Sequence, residues 1–355
     1  MELAKTKSGS ETEELCNKAV EKYDKATQIK QNFPEAYFNW GSVLGDLAQT
    51  KSGSEAEKLY KEACEKYNKA TTYKQDFHEA YNNWGNVLGD LAQTKSGNEA
   101  EELFKEAFEK YDLAITYKQD YHEAYYNWGV ALVELAETKS GNKAEKLYTK
   151  AFEKYKLATT YKKDGHEAYN NWGNALSELA KTKSGNEAEK LYKEAFEKYY
   201  LAITYKGDKY EAYFNWGVAL MELAEIKSGN EAEELYKEAF EKYKLATTYK
   251  EDFHIAYNNW GAVLMELAEI KSGNEAEELH KEAFEKFKEV IKHGGDAYNL
   301  ACLFAIRNQK VEALKYLEQT LARNEITIEF VEEDEYWEEL RNDPDFQHLL
   351  SRYKK

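Results

Sequence analysis

The stretch Tyr81-Asn82-Asn83-Trp84-Gly85-Asn86, "YNNWGN", decides the fold because near copies of it recur along the chain. The copies place one tryptophan every 44 residues, at Trp40, Trp84, Trp128, Trp172, Trp216 and Trp260. A fixed period of this length is typical of a repeat array, in which each unit packs on its neighbours. We therefore expect stacked units rather than independent globular domains.

The composition favours helices and excludes several classes of protein. Among 355 residues there are only 2 prolines, and the formal net charge is −17. This acidic charge disfavours binding to nucleic acid, which needs a basic face, and favours basic partners.

No apolar run approaches the ~18 residues of a membrane span, and the first residues lack the apolar core of a signal peptide. With three cysteines in no pairing pattern, we expect a cytoplasmic protein without disulfides.

One unit contains two helical patterns separated by a turn. The first pattern places apolar or aromatic residues at helical spacing, at Tyr81, Trp84, Val87, Leu88 and Leu91. The segment "KSGN" then interrupts it, and Gly97 suits a left-handed helix C-terminus. Asn98 followed by Glu101 is close to a capping box at the start of the next helix. A second helical stripe follows, so we predict a pair of helices in each repeat.

The order of large and small residues in this pair resembles the tetratricopeptide repeat, whose motif is Trp-x2-Leu-Gly-x2-Tyr followed by Ala-x3-Phe. The matching residues of the first complete unit are Tyr37, Trp40, Gly41, Leu44, Ala63 and Tyr67. The resemblance implies an all-α fold, a right-handed superhelical solenoid of antiparallel helix pairs. Tryptophan would be the large knob, and glycine would let the neighbouring helix approach. The period of 44 residues exceeds the family's 34, and the family's closing proline is missing.

The ends of the array differ from its middle. Residues 1–33 enter part-way through a unit and supply mainly one second helix, whereas residues 34–293 form six 44-residue repeats. Residues 294–322 have the family's length. Residues 323–355, with the sequence "DPDF" at Asp343–Phe346, resemble the closing element of bacterial tetratricopeptide arrays. They predict acidic capping helices, which repeat arrays need for solubility.

The resemblance implies a concave groove, lined by the first helices, that holds a ligand. One series of lining positions is always asparagine. An amide both donates and accepts hydrogen bonds, so this series suits the backbone of an extended peptide; the alternative is that each asparagine bonds a neighbouring helix. The series is Asn39, Asn83, Asn127, Asn171, Asn215 and Asn259.

Two other lining series alternate in polarity, so that the true period is 88 residues. One consists of Phe38, Asn82, Tyr126, Asn170, Phe214 and Asn258, and the other of Ser42, Asn86, Val130, Asn174, Val218 and Ala262. Duplication of a pair of repeats explains the alternation, and so do alternating polar and apolar pockets. In the second case Phe38, Tyr126 and Phe214 would be aromatic anchors for a partner.

The last lining series is acidic. It consists of Asp46, Asp90, Glu134, Glu178, Glu222 and Glu266, and no lysine or arginine stands in the lining positions. If these carboxylates face the groove, they attract lysine or arginine of a ligand. The alternative is an ordinary solvated face.

The sequence gives little support to catalysis. Histidines recur at the predicted helix starts, at His78, His122, His166 and His254. Equivalent sites on stacked repeats lie ~10 Å apart, too far to share an ion, so we expect structural roles for them. No nucleotide, metal or hydrolase motif is present, and we expect no enzyme activity and no cofactor.

The sequence therefore predicts a protein–protein interaction scaffold that binds a protein or peptide in the groove, and its acidic charge favours a basic one. The alternative is a structural protein that polymerises through its N-terminal second helix, with Leu15, Val20, Tyr23 and Ala26 on an open stacking face. Such a face would let head-to-tail contacts propagate. A fragment of a longer array would show the same face.

Overall fold

The structure is a computed structural model that describes residues 10–354. Every regular element in this range is helical, which confirms the all-α prediction. The chain divides into two compact units, Met1–Ala175 and Leu176–Lys355. The boundary falls within the helix His166–Lys181.

Unit 1 consists of helix pairs with first helices of 16 residues and second helices of 21 residues. Its helices are α1 (Ser10–Ile29), α2 (Pro34–Gln49), α3 (Gly53–Tyr73), α4 (His78–Gln93), α5 (Gly97–Tyr117), α6 (His122–Glu137), α7 (Gly141–Tyr161) and the start of α8 (His166–Lys181). The pairs α2–α3, α4–α5 and α6–α7 pack tightly, and α1, α3 and α5 also pack on the next first helix. This is the stacking that the 44-residue period predicts.

Unit 2 continues the pattern and then closes it with shorter elements. It contains the rest of α8 and then α9 (Gly185–Tyr205), α10 (Tyr210–Glu225), α11 (Asn230–Tyr249), α12 (His254–Ile270), α13 (Asn274–Lys292), α14 (Tyr298–Ile306), α15 (Lys310–Ala322), α16 (Ile328–Glu333), a 3-10 helix (Glu335–Leu340) and α17 (Pro344–Tyr353). The pairs α10–α11, α12–α13 and α14–α15 repeat the arrangement of unit 1. The 3-10 helix packs on α14, and α17 packs on α15.

In the pairs α2–α3, α4–α5, α6–α7, α10–α11 and α12–α13, the glycine of the first helix lies against an aromatic ring of the second. A Cβ atom added to Gly85 would lie 2.6 Å from Cε1 of Tyr111, and one added to Gly129 would lie 2.7 Å from Cε1 of Tyr155. Both tyrosines are almost completely buried. The glycine of the recurrent motif is therefore required because the partner ring lies directly on the helix backbone.

The turn between paired helices differs from the one predicted. The helix α4 ends at Gln93, and Gly97, with φ of 59°, is the first residue of α5 rather than the end of α4. No side chain caps the start of α5 at Ser96, so the capping box expected at Asn98 and Glu101 does not form. The prediction was wrong because residues 94–96 lie outside both helices and separate the end of α4 from the left-handed Gly97.

The first helix of the structure lies against its neighbours. Val20 and Tyr23 of α1 are partly buried against the core formed by α2 and α3. These two residues were expected on an open stacking face, and the structure directs them toward the array instead. Ile29, at the end of α1, is 89% exposed.

Candidate functional site

The predicted lining residues lie on the first helices, which pack on one another within each unit. In unit 1 α2 contacts α4 and α4 contacts α6; in unit 2 α10 contacts α12 and α12 contacts α14. Each unit therefore has one surface built from first helices alone. We call it the first-helix surface.

The asparagines connect neighbouring first helices. Asn127 Nδ2 donates to Asn82 Oδ1 at 3.0 Å, and Asn171 Nδ2 donates to the Tyr126 hydroxyl at 2.9 Å. In unit 2 the same kind of bond runs from Asn299 to Asn258 at 3.0 Å. These amides thus bond adjacent helices, as one of the two interpretations of the sequence requires.

The candidate polar residues also differ in how far their side chains are exposed to a ligand. Asn82 and Asn170 are 4% and 6% exposed, which leaves a ligand almost no access to their side chains. Asn86 accepts a hydrogen bond from the buried Tyr111 hydroxyl at 2.8 Å. The half-buried asparagines of the unbroken series stay candidates for ligand contact: Asn39, Asn83, Asn127, Asn171, Asn215 and Asn259.

Two of the three candidate aromatic anchors are covered by aromatic side chains of the protein itself. The ring of Phe38 lies 5.0 Å from that of Phe77, and the ring of Phe214 lies 5.0 Å from that of Phe253. Tyr126 differs, because the position that corresponds to Phe77 and Phe253 is Gly165 in its repeat. A cavity of about 200 Å³ lies beside Tyr126 and Gly165.

The acidic series lies on the first-helix surface, and in part it is paired. Gln49 Nε2 donates to Asp90 Oδ2 at 3.0 Å. Lys181 Nζ lies 2.8 Å from both Glu178 and Glu222. The lining positions themselves hold no lysine or arginine, but Lys181, three residues after Glu178, reaches two of their acids. Gln49 and Lys181 each lie three residues after an acid of the series, and each reaches the acid of a neighbouring first helix.

Burial weakens the acidity of the central carboxyls. It raises the pKa of Asp90 and of Glu134 above their ordinary values, although hydrogen bonds from Gln49 and Gln93 oppose the shift. In contrast, Asp46 is exposed. The acids of this series are thus not an ordinary solvated face at every position.

Replacing Asp90 by asparagine and Glu134 by glutamine is expected to stabilise the folded chain at neutral pH. Because their pKa values are raised on folding, the stabilising contribution of these carboxyls is complete below their unfolded pKa and is lost as the pH rises through the folded pKa. The uncharged variant removes this loss, and we expect its Tm at about pH 7 to rise by ~1–3 °C, with a smaller difference at about pH 4. Thermal unfolding followed by circular dichroism across this range measures the effect.

Glu57 provides a control of opposite sign. Hydrogen bonds from Lys61 and Lys95 hold the pKa of Glu57 at about 2, so its contribution to stability is present above its unfolded pKa and is lost only as the pH falls through about 2. Glu57→Gln should therefore lower the Tm at neutral pH. A fall in Tm for the Asp90→Asn/Glu134→Gln variant as well would show that burial does not control these carboxyls.

An acidic cluster lies at the end of the first-helix surface of unit 2. We use this name for Glu225, Glu266, Glu269 and Glu335. Burial raises the pKa of Glu266, and the neighbouring carboxylates Glu269, Glu225 and Glu335 raise it further. Burial and Glu335 likewise raise the pKa of Glu269. The Tyr336 hydroxyl donates to Glu266 Oε1 at 3.3 Å, so the acidic cap completes this cluster.

A series of lysines that sequence reasoning missed connects successive repeats. The lysine of "KSG" reaches a glutamate on the second helix of the preceding repeat: Lys95 Nζ lies 2.7 Å from Glu57, and Lys139 Nζ lies 2.8 Å from Glu101. In unit 2 the Lys227 pair with Glu189 is 2.6 Å long. The recurrence of this lysine in every "KSG" turn was the available signal.

The recurrent histidines take part in local contacts. The His78 ring lies edge-on to Tyr121 with centroids 4.9 Å apart, and His122 Nδ1 lies 2.7 Å from Glu123. Among residues 10–354 no group of three or more histidine, cysteine or acidic side chains is arranged to hold a metal ion. Over the same range no helix has both the length and the apolar character that crossing a membrane requires.

One family model matches the chain, and it does so twice. The model describes the plant specific mitochondrial import receptor subunit TOM20, and it matches residues 68–164 and residues 152–247. Together the two matches extend over just more than half of the chain. A comparison with curated proteins finds no match.

Solved structures with a similar fold are helical repeat proteins. The C-terminal part of a TPR repeat-containing protein from Cytophaga hutchinsonii aligns with a TM-score of 0.52 and 12% identity over 79% of this chain and 90% of that one. PilF of Pseudomonas aeruginosa aligns with a TM-score of 0.48 and 17% identity over 72% and 95%. YrrB, described as a TPR protein with an unusual peptide-binding site, gives 0.41 and 19% over 66% and 95%. These matches concern the fold, and they indicate no catalytic family.

Proposed function

The chain belongs to the tetratricopeptide-repeat proteins, and we propose that it is a protein-interaction scaffold whose first-helix surface binds a basic segment of a partner protein. The observation that carries the proposal is the acidic cluster Glu225, Glu266, Glu269 and Glu335. It performs no catalysis in this proposal and needs no cofactor.

The acidic cluster suits a lysine or arginine side chain. The carboxylates of Glu266 and Glu269 repel each other and Glu335, and burial adds to the cost of their charge. A cation bound between them relieves both costs, because an opposite charge at short range stabilises the ionised carboxylate. Charge complementarity of this kind acts on the rate and specificity of association. Binding should therefore weaken in high salt and at acidic pH.

The predicted basic segment can be tested without knowing the partner. A display library of random peptides is selected on the full-length chain, and we expect the selected peptides to be enriched in lysine and arginine. The best peptide is then labelled, and its affinity is measured by fluorescence anisotropy. Glu266→Gln/Glu269→Gln should weaken binding about tenfold, which is about 1.4 kcal/mol, because two charge pairs are lost.

A charge-matched variant distinguishes the cluster from the general charge of the protein. Glu278→Gln/Glu282→Gln makes the same change in net charge on the exposed face of α13, a second helix. We expect its affinity for the peptide to equal that of the wild type. The proposal is wrong if both double variants lose affinity equally, or if the selected peptides carry no excess of basic residues.

Self-assembly stays an untested alternative. The open face of the N-terminal second helix, through which the chain would polymerise, is smaller than the sequence predicts, because Val20 and Tyr23 pack against α2 and α3. A cytoplasmic location also stays a prediction.

A further inference from the structure

A cavity in unit 1 lies where one repeat lacks a side chain. It has a volume of about 200 Å³ and lies beside Gly165, at the junction of α6, the end of α7 and the start of α8. His122, Tyr126 and Lys162 form three of its walls, and Ala158 and Ala168 contribute apolar surface. His122 and Tyr126 lie one turn apart on the same face of α6, and Lys162 follows the end of α7, so the walls come from two neighbouring elements.

Four of the five other repeats place an aromatic ring at the position of Gly165. The residues before the first helices at this position are Phe33, Phe77, Tyr121, Gly165, Lys209 and Phe253. In the repeats one period of 88 residues to either side, the ring packs on an aromatic residue of the preceding first helix. Phe77 lies 5.0 Å from Phe38, and Phe253 lies 5.0 Å from Phe214. Tyr126 is the corresponding residue in the repeat with the cavity.

The His122 wall corresponds to a second contact that these rings make in other repeats. An aromatic side chain from the start of the preceding first helix meets the ring edge-on: His78 meets Tyr121 at 4.9 Å, and Tyr210 meets Phe253 at 5.2 Å. His122 is the corresponding residue beside the cavity.

A lysine three residues before the ring lies over its face. Lys74 Nζ is 4.3 Å from the centroid of Phe77, and Lys118 Nζ is 4.8 Å from that of Tyr121. Lys162 has this place beside the cavity.

The turn before Gly165 makes a hydrogen bond that the turn before Phe77 also makes. Gly165 N donates to Lys162 O at 3.0 Å, and Phe77 N donates to Lys74 O at 3.2 Å. The cavity therefore lies where other repeats hold an aromatic ring, and the three groups that correspond to the contacts of such a ring all line it.

We propose that this cavity binds an aromatic side chain, phenylalanine or tyrosine, supplied by the partner segment. An enclosed apolar cavity of ~150 Å³ holds benzene; this cavity is of similar size, and Glu123, Asp164 and Glu167 also line it. A ring placed here gains an aromatic contact with Tyr126 and His122 and a cation over its face from Lys162. The Nε2 atom of His122 is buried without a hydrogen-bond partner, and a tyrosine hydroxyl can bond to it. That a partner segment supplies the ring rests on the proposed function. The cavity itself lies in unit 1, whereas the acidic cluster lies in unit 2.

The experiment uses a probe that needs no partner. 4-Methylphenol, the side chain of tyrosine, is titrated into the full-length chain and its binding is followed by saturation-transfer NMR. We expect saturable binding with a Kd of about 1 mM or tighter. A crystal of the chain soaked in 4-bromophenol should show the bromine in the cavity beside Tyr126.

Two variants close the cavity or remove a wall. Gly165→Phe restores the ring that the other repeats carry and should weaken binding of the probe at least tenfold. Its Cβ would lie 2.9 Å from Lys162 O, so a small backbone shift is needed. Tyr126→Asn, which copies Asn82 of the preceding repeat, removes the stacking wall and should have the same effect. Gly207→Phe adds a ring at an exposed turn and should leave binding unchanged.

The proposal is overturned if the wild type shows no saturable binding up to about 10 mM, if Gly165→Phe and Tyr126→Asn bind as the wild type does, or if the bromine lies elsewhere. Because no basic peptide enters this experiment, its failure would leave the binding of basic segments to unit 2 unaffected. Equally, a failure of the peptide selection would leave the result with 4-methylphenol standing.

Discussion

Gly85→Ala is expected to destabilise the α4–α5 pair by ~1–3 kcal/mol, whereas Gly89→Ala, one turn further along the same helix, is expected to stabilise it by up to ~1 kcal/mol. The added Cβ at position 85 would lie 2.6 Å from Cε1 of Tyr111 and 2.9 Å from two further atoms of that ring. Tyr111 is 2% exposed and its hydroxyl donates to Asn86, so the ring has nowhere to move. The nearest atom to a Cβ at position 89 is 4.0 Å away.

The two variants are matched because both add one methyl group to a buried position of one helix. Alanine has a higher helix propensity than glycine, and this gain applies at both positions. Only the contact with Tyr111 differs. Hydrogen exchange in α4 and α5, together with urea unfolding, measures the two effects. Equal stability of the variants would show that α4 and α5 can separate at no cost, and that close approach is not what the glycine of the motif provides.

The helix pairs were predictable because the sequence features that produce them recur in every 44-residue unit. The period of 44 residues, the helical stripe and the single glycine are local features, and each repeat confirms the others. The role of the glycine follows as well, since a residue without Cβ between large aromatic residues indicates close approach of backbones.

Contacts between repeats were less predictable because they depend on how far one unit is displaced relative to the next. That Lys95 reaches Glu57, and Lys181 reaches Glu222, requires this displacement. The sequence shows the charges but not the distances between them. The turn at Gly97 was misjudged for a related reason: a glycine before a helix and one after a helix look alike in sequence.

The cavity was visible in the sequence only in part. Aligning the repeats shows a glycine at position 165 where Phe77 and Phe253 stand. Without the structure, nothing says that this position packs on Tyr126, 39 residues earlier in the chain. The alternation of Phe38, Asn82 and Tyr126 therefore suggested pockets without locating one.

Trp337→Ala is expected to destabilise the closing part of unit 2 by ~3–5 kcal/mol, because a large buried ring is replaced by a methyl group. Trp337 is completely buried, and its ring stacks on Phe346 of α17 with centroids 5.4 Å apart. Its Nε1 donates to the Tyr298 hydroxyl at 3.1 Å, and this hydroxyl donates to Asp334 at 2.6 Å. The indole thus joins α14, the 3-10 helix and α17, and hydrogen exchange in these elements should rise together.

Phe330→Ala is the control, since this ring also contacts Tyr298, at 5.6 Å, but is 52% exposed. We expect it to cost about 1 kcal/mol or less. Trp337 also holds the 3-10 helix that carries Glu335 and Tyr336, so Trp337→Ala should weaken binding of the basic peptide, whereas Phe330→Ala should not. If Trp337→Ala loosens the closing elements but binds the peptide with unchanged affinity, Glu335 and Tyr336 are not part of the binding surface, and the acidic cluster reduces to the carboxylates of α10 and α12.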